Sequence, residues 1–568
     1  MLTVYSFSDI DVLSIPGVYG AQVGFMSVMD GTYGFMVVPY TVLPGHFITT
    51  PASISAQQVT AFGQLAKPVP LKLLGGPDLT QFEVGQLANG NFVEFSGGYV
   101  NGNGYHGYLQ IFGPDGSAKG PLIDLIQGYS NEQHFSLVTL ANGNFITSWQ
   151  FSESGPKSTG WNAMVEVFSA KGAVLNGPIA LGGTGNQIAP QIAKLSESAI
   201  VDVWIDIGSE GLFEQSHSAS LRGQVLDANG VATTGVFTLL APTDGIEKTY
   251  SVAGLTNGNF TVTWLLKQSD DVAGTVTQTL FAQVFHADGT SASAQQQVDR
   301  FVYSASGYSN LNGPHTIGLA DGRFAVSWNV QDQDADSNIA YSGLLQIFEA
   351  NGTAASIVYS LGENNGDVKN LSVVALPDGR FAASWSDGFG QRHETQILDA
   401  RDHGIQLSGN GLDNQYVGTN FADSIFGAAG DDTLFGKAGN DVLTGGTGND
   451  MLLGGFGTDK LIGNDGDDYL SGFDGNDRLV GGRGADLELG GKGRDVFVFA
   501  PGDGADRIKG FTDGADHIDL SAYGFGHAPA ALRHFAEVAG GVQFTDGADT
   551  ILITGLAFAD LSGTDLIL

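Results

Sequence analysis

An aspartate recurs every nine residues along one stretch of this chain: Asp423, Asp432, Asp441, Asp450, Asp459, Asp468, Asp477, Asp486 and Asp495. From Asp432 to Asp486 each follows, two residues on, a glycine of a second column: Gly430, Gly439, Gly448, Gly457, Gly466, Gly475 and Gly484. Carboxylates presented by glycine turns, beside exposed backbone carbonyls, are the donor set of a hard cation that takes roughly six to eight oxygens. Calcium fits such a set, whereas the stricter octahedron of magnesium fits poorly. Turn preference explains an occasional aspartate. It does not explain a column of them in phase with glycine.

The elements that must position these groups follow from the same period. Copies run from GTNFADSIF at Gly418 to GGKGRDVFV at Gly490, with GNGLDNQYV from Gly409 as a degenerate opener. Glycines at positions one and four are expected to supply the unusual φ of a sharp turn. The three residues after the aspartate then form a short strand whose middle residue faces inward. Ile425, Leu434, Leu443, Leu452, Leu461, Leu470, Leu479 and Phe497 fill that inward slot. Two nonapeptides complete one coil, so alternate repeats stack at about 4.7–4.9 Å. That brings Asp441 against Asp459, and two ionised carboxylates so close repel unless a cation lies between them. Two repeats depart from the pattern. Phe421 replaces the fourth-position glycine of the repeat from Gly418, which leaves Asp423 as a weak ligand or only a cap. Glu488 occupies an inward slot, where the strand is expected to slip or the carboxylate to reach a cation.

The nonapeptides resemble the GGxGxDxUx repeats of the RTX, or hemolysin-type calcium-binding, family. The resemblance implies a parallel β-roll holding several Ca2+ ions. It also implies a protein that a Gram-negative bacterium exports unfolded through a type I ABC exporter and that folds on meeting calcium outside the cell. FAPGDGADRIKGFTDGADHIDLS, from Phe499, resembles the segment that caps such repeats, and the tail to Leu568 resembles their uncleaved secretion signal.

Composition agrees with this reading. Sixty acidic against 24 basic side chains give a formal charge of -36, which repels nucleic acid and anionic membrane surfaces alike. With 84 glycines the chain favours turn-rich, all-β structure over helices. The absence of cysteine removes disulfides and thiolate metal sites. No Lys or Arg precedes Lys67, so the basic start of a cleavable secretory leader is missing. The uncharged stretch Val12–Met29 carries Pro16, Gly17, Gly20, Gln22, Gly24 and Ser27 and reads as strands and turns, with no transmembrane span.

A longer repeat fills the N-terminal two thirds. It reads LANGNFVEFS from Leu87, LANGNFITSW from Leu140, LSESAIVDVW from Leu195, LTNGNFTVTW from Leu255, LADGRFAVSW from Leu319 and LPDGRFAASW from Leu376. Each copy precedes a second strand and turn: QIFGPDG, EVFSAKG, QVLDANG, QVFHADG, QIFEANG and QILDARD. Asn-Gly and Asp-Gly pairs supply the positive φ of tight hairpins. A period of 53 to 64 residues, one sheet per repeat, points to a β-propeller of six or seven blades. A faint copy at Val28–Gly31 with Gln57–Gly63 favours seven, and a stacked or sandwich array is the competing reading. Trp149, Trp204, Trp264, Trp328 and Trp385 are expected in cores between blades and not on a carbohydrate-stacking surface.

The expected organisation is therefore a propeller-like domain over 1–405, the β-roll over 406–498 and a cap with secretion signal over 499–568. No HExxH or GxSxG motif is present, so no catalytic residue is named. His106, His134, His315 and His393 lie near blade edges as lone histidines. The loop Asp332–Asn338 opens like an EF-hand, but Ser337 stands where the glycine belongs and Gly343 where the bidentate glutamate belongs. The blade repeat resembles LxDGxFVVxW modules of large secreted RTX proteins, which accompany surface or matrix roles. The reading is an extracellular or cell-surface calcium-dependent binding, adhesion or matrix protein that contacts a glycan or cell surface. The alternative is a secreted glycosidase or lyase with its active site in the propeller.

Overall fold

In the computed structural model the described residues before 78 are five short strands, and residues 413–568 are described without interruption. Between them several loops fall outside the description, including 129–134, 153–159, 209–217, 334–338 and 387–392. The faint copy at Val28–Gly31 and most of the Asp332–Asn338 loop therefore lie outside the described residues.

Seven four-stranded antiparallel sheets occupy residues 3–399. Six use consecutive strands, opening with Gln22–Ser27, Asp78–Gln86, Phe135–Thr139, Gln187–Ser196, Ile246–Gly254 and Asn310–Gly318. The seventh joins Lys369–Ala375, Phe381–Ser386 and His393–Asp399 to the N-terminal strand Thr3–Tyr5, with Thr3 opposite Asp399. The opening strands neighbour one another in order and the last neighbours the first, so the ring closes. This is a β-propeller, of seven blades among the described residues.

The long repeat is one hairpin of each blade. Gly143, Gly258 and Gly322 take φ of 83°, 81° and 90° at the turn. The preceding Asn142, Asn257 and Asp321 accept the backbone N–H two residues on. The aromatic after the turn pairs across the sheet with the aromatic of the QVF-type strand: Phe145 with Phe168, Phe260 with Phe285, Phe324 with Phe348. These rings stack at 5.0, 5.6 and 5.1 Å, a geometry worth about 0.5–1.5 kcal/mol beyond burial. The glutamine of that strand has a use as well. Gln110, Gln224, Gln283 and Gln346 donate through their amides to carbonyls at the irregular start of the outer strand. All five repeat tryptophans are buried, which places them in the blade cores.

From Gln406 the chain coils into two parallel sheets with an 18-residue register: Leu443 lies beside Leu461, and Leu434 beside Leu452. The inward row from Ile425 to Phe497 is closed to solvent. Strands Ala505–Lys509, Asp549–Thr554, His517–Asp519 and Leu566–Ile567 extend the same two sheets, and Phe535–Val538 with Gly541–Asp546 add an antiparallel edge.

A buried ion pair joins propeller to roll. Arg401 grips Asp399, at the end of the closing blade, through Nε at 2.7 Å and a second guanidinium nitrogen at 2.7 Å. The same guanidinium donates to the Val417 and Gly418 carbonyls of the first full coil at 2.6 and 2.8 Å. Lys437 adds a contact to Asp399 at 3.3 Å. Burial alone would raise the Asp399 pKa, but the hydrogen-bonded Arg401 and the Lys437 charge outweigh it and hold the carboxyl below its usual range. Replacing Arg401 with Ala takes the guanidinium from that carboxylate, which keeps only Lys437 and the backbone N–H of residue 401, and from two carbonyls. The expected loss is about 3–5 kcal/mol, read by denaturant unfolding of the full chain in saturating calcium. A loss below about 1 kcal/mol, the range of exposed pairs, would contradict it.

Candidate metal centre

The in-phase aspartates form a ladder. The backbone N–H of each residue from Asp423 to Asp477 donates to Oδ1 of the aspartate one coil on, at 2.8–3.0 Å. The ladder starts from the N–H groups of Ile405 and Asn414, which donate to Asp423 and Asp432. One carboxylate oxygen of each rung is therefore held by the fold. The other is not: Oδ2 of Asp432, Asp441, Asp450, Asp459, Asp468, Asp477, Asp486 and Asp495 is buried and meets no donor. An unsatisfied buried carboxylate oxygen carries a full desolvation penalty, and here it recurs along both turn edges of the roll.

The first-position glycines explain where those oxygens sit. A Cβ on Gly427, Gly436, Gly445, Gly454, Gly463, Gly472, Gly481 or Gly490 would strike Oδ2 of the aspartate five residues on. At Gly427, Gly436, Gly463 and Gly472 it would also meet the carbonyl oxygen of the first-position glycine one coil later. These glycines do not have positive φ, so the expectation that position one needs glycine for its dihedral is corrected: it needs glycine for space. The left-handed positions are the fourth, with φ from 110° at Gly430 to 149° at Gly484 and Gly475 as the exception, and the second, as at Gly446 with 133°. Ala428, Lys437, Asn464 and Phe473 hold second positions at φ of 87°, 79°, 81° and 71°, a strain on the order of 1–2 kcal/mol each. Fourth-position carbonyls point at the next coil: a Cβ on Gly448, Gly457, Gly466, Gly475 or Gly484 would meet the carbonyl of Gly430, Gly439, Gly448, Gly457 or Gly466 respectively.

Paired oxygens without donors, backbone carbonyls closing on the same point and a cradle that a Cβ would fill together fit a hard divalent cation. Among the described residues no three His, Cys, Asp or Glu side chains converge as a metal cluster. Backbone carbonyls must therefore supply much of any coordination shell. The ends of the ladder differ from its middle. Asp423 takes hydrogen bonds on both oxygens, from the Ile405 N–H and Thr419 hydroxyl on Oδ1 and from the Thr419 N–H on Oδ2. Beyond the nonapeptides, Asp506 and Asp516 accept from the N–H groups of Asp486 and Asp495, and the second oxygen of Asp516 accepts from Thr512. Sequence reading missed these two. The GADRI and GADHI segments repeat the Gly-x-Asp-x-apolar ending of a nonapeptide, but offsets of 20 and 21 residues break the nine-residue phase.

At Glu488 the strand does not slip, which removes the first of the two alternatives expected there. The residue lies in register between Leu470 and Ile508, fully buried. The propeller carries its own interior carboxyls. Burial pushes Glu94 and Asp202 to about 8, but Asp202 is 0% exposed and so closed to a substrate. His315, on the opening strand of the sixth blade, is lowered to about 4 by burial and stays neutral. The side chains of His106, His134 and His393 fall outside the described residues.

The RTX calcium-binding nonapeptide repeat family matches residues 408–443, 417–452 and 453–488. The coiled segment is an RTX repeat domain. RTX nonapeptide repeats bind calcium, and they imply a type I secreted protein. Among the described residues no helix is long and apolar enough to cross a membrane. No curated protein matches the chain. Among solved structures, an α-L-arabinanase of Penicillium chrysogenum complexed with arabinobiose is 14% identical, covers 57% of this chain and 94% of its own, and has a TM-score of 0.38. An α-L-arabinofuranosidase of Fusarium graminearum is 13% identical over 57% of this chain and 93% of its own, with a TM-score of 0.36. An extracellular lipase of Serratia marcescens is 18% identical over 28% of this chain and 40% of its own, with a TM-score of 0.15. Likenesses this loose carry no argument about activity.

Without a cation the RTX ladder is hard to ionise. Burial first, then neighbouring carboxylates, push Asp441, Asp450, Asp477 and Asp486 up to about 7. Asp432, Asp468 and Asp495 rise to about 6 for the same reasons. The unfolded value is about 3.9, so the folded ion-free ladder holds protons that the unfolded chain releases. Its ionisation penalty is absent below the unfolded value and complete above about 7. A ligand carboxylate must be deprotonated. Calcium added near pH 6.5 should therefore release protons, with none at pH 9, and apparent affinity should fall as pH drops below 7. Potentiometric titration reads this, and calcium binding at pH 6.5 without proton release would contradict it.

Proposed function

We propose that this chain is an extracellular, calcium-dependent binding protein whose RTX roll serves export and folding and whose propeller recognises a glycan or cell surface. The observation that carries the reading is the row of buried aspartate oxygens without donors, placed by a repeat that otherwise buries only a thin apolar row. In the cytosol, where calcium is scarce, that ladder disfavours the folded roll and leaves an expanded segment suited to a type I ABC exporter. Outside, calcium binding to the folded state alone drives folding by linkage. Residues 499–568 act as cap and export signal, and the ligands are Asp432 to Asp495 with first- and fourth-position glycine carbonyls.

The Arg401 junction ties the first full coil to the closing blade, so the propeller is presented on a roll set by calcium. Its blade tryptophans are spent on cores, which leaves recognition to the loops and turns. The secreted glycosidase or lyase remains the second reading, since paired carboxylates need no linear motif.

Expression in a Gram-negative host with a type I exporter should place the full chain in the medium, and deletion of residues 499–568 should retain it in the cell. The exported protein should bind a glycan array or whole cells in calcium, lose binding on chelation, and release no reducing sugar from bound polysaccharide. Polysaccharide turnover would favour the enzyme, and equal binding in chelator would overturn the calcium-dependent reading.

A further inference from the structure

Every inward slot of the roll from Ile425 to Phe497 is apolar except one, Glu488. Its neighbours in the row are Leu470 on the preceding coil and Ile508 on the following one, both in register. The carboxylate cannot reach water: Glu488 is 0% exposed. One oxygen, Oε1, accepts the Gly481 N–H at 2.8 Å, and the other, Oε2, has no donor. Gly481 is the first-position glycine of the same repeat, and the point where its Cβ would stand abuts Oδ2 of Asp486, which also has no donor. Two carboxylates with bare oxygens therefore converge on one glycine from the core side and the turn side. A third lies one coil on, where Asp506 accepts the Asp486 N–H at 3.1 Å.

Such a grouping has no protein partner of opposite charge in it. Carboxylates brought together in a low-dielectric interior repel strongly, and a buried charge left without a partner is among the most destabilising features a fold can carry. The rest of the row shows that Leu fits this slot. A glutamate there, with Oε1 on the N–H of the glycine that Asp486 Oδ2 abuts and with Oε2 buried without a donor, has the geometry of a ligand.

We propose that Glu488 and Asp486 jointly hold a divalent hard cation under the turn at residues 483–486, a site with a second side-chain carboxylate that the other coils lack. Backbone carbonyls of the adjoining turns complete the oxygen shell. The extra carboxylate raises the ligand charge, one of the two quantities that set calcium affinity at oxygen sites. This site is the tightest of the roll and fills first, at the end nearest the capping strands. From there the ordered turn templates its neighbours back along the ladder towards Asp432.

The proposal rests on the calcium-binding reading of the roll but fails separately from it. The test is calcium flow dialysis on the full-length protein and on two full-length variants, Glu488→Gln and Glu488→Leu, with far-UV circular dichroism to follow folding. Calcium binding by the unaltered chain tests the general reading. The variants test this site. Both should lose the highest-affinity step of the isotherm, by one ion per chain or by at least about tenfold in affinity, and both should need more calcium to fold. Glu488→Leu carries the residue of the other coils, so it keeps the roll able to form and separates lost binding from lost fold. Unchanged isotherms in both variants, or folding of Glu488→Leu at lower calcium than the unaltered chain, would overturn the proposal and show a carboxyl that is only a burden on the core.

Discussion

The structure depends on a buried carboxylate oxygen with nothing to bond. Each nonapeptide from Asp432 to Asp495 has one oxygen of its aspartate fixed by a backbone N–H from the coil before and the other left buried beside a glycine. Repeated through eight rungs, this lines the roll with buried oxygens suited to positive charge. The apolar interior is narrow, one inward side chain per coil on each sheet. It cannot by itself offset the order imposed on so many glycines. On the proposed reading, cation binding and folding are the same event in this segment.

The propeller in front of it is held by other means. Its blades use aromatic pairs, buried tryptophans and side-chain amides spanning strand irregularities, and the ring is closed by a strand from the opposite end of the chain. The inner strands are joined between blades as well: Gln150 accepts from Ala189, Ser251 from Thr316 and Gln278 from Leu311. None of these contacts needs a cation. The two halves meet at Arg401, whose guanidinium is shared between a blade carboxylate and the carbonyls of the first full coil.

Much of this was legible in the residues. A nine-residue phase of Asp and Gly gives the coil, the stacking of alternate repeats and the candidate cation ligands, because period and chemistry there are the same signal. The hairpin turns of the blades were legible for a similar reason, since Asn-Gly and Asp-Gly declare positive φ. Other features were not. The seventh blade borrows its outer strand from Thr3–Tyr5, a pairing between residues almost four hundred apart that no local pattern encodes. Asp506 and Asp516 continue the ladder after insertions that break the phase. The first glycine is needed not for its dihedral but for the oxygen beside it, that of the aspartate five residues on, a contact within the turn that sequence alone does not display. Glu488 was visible as an exception, but only the register with Leu470 and Ile508 shows that it stays inside.

The most direct test is hydrogen exchange on the full chain, with calcium present and with calcium removed at neutral pH. The amides of residues 432–495 should be protected in calcium and exchange freely without it, while strands such as Phe260–Asp270 and Phe324–Gln333 of the propeller remain protected in both conditions. Equal protection of residues 432–495 in the absence of calcium would contradict the account.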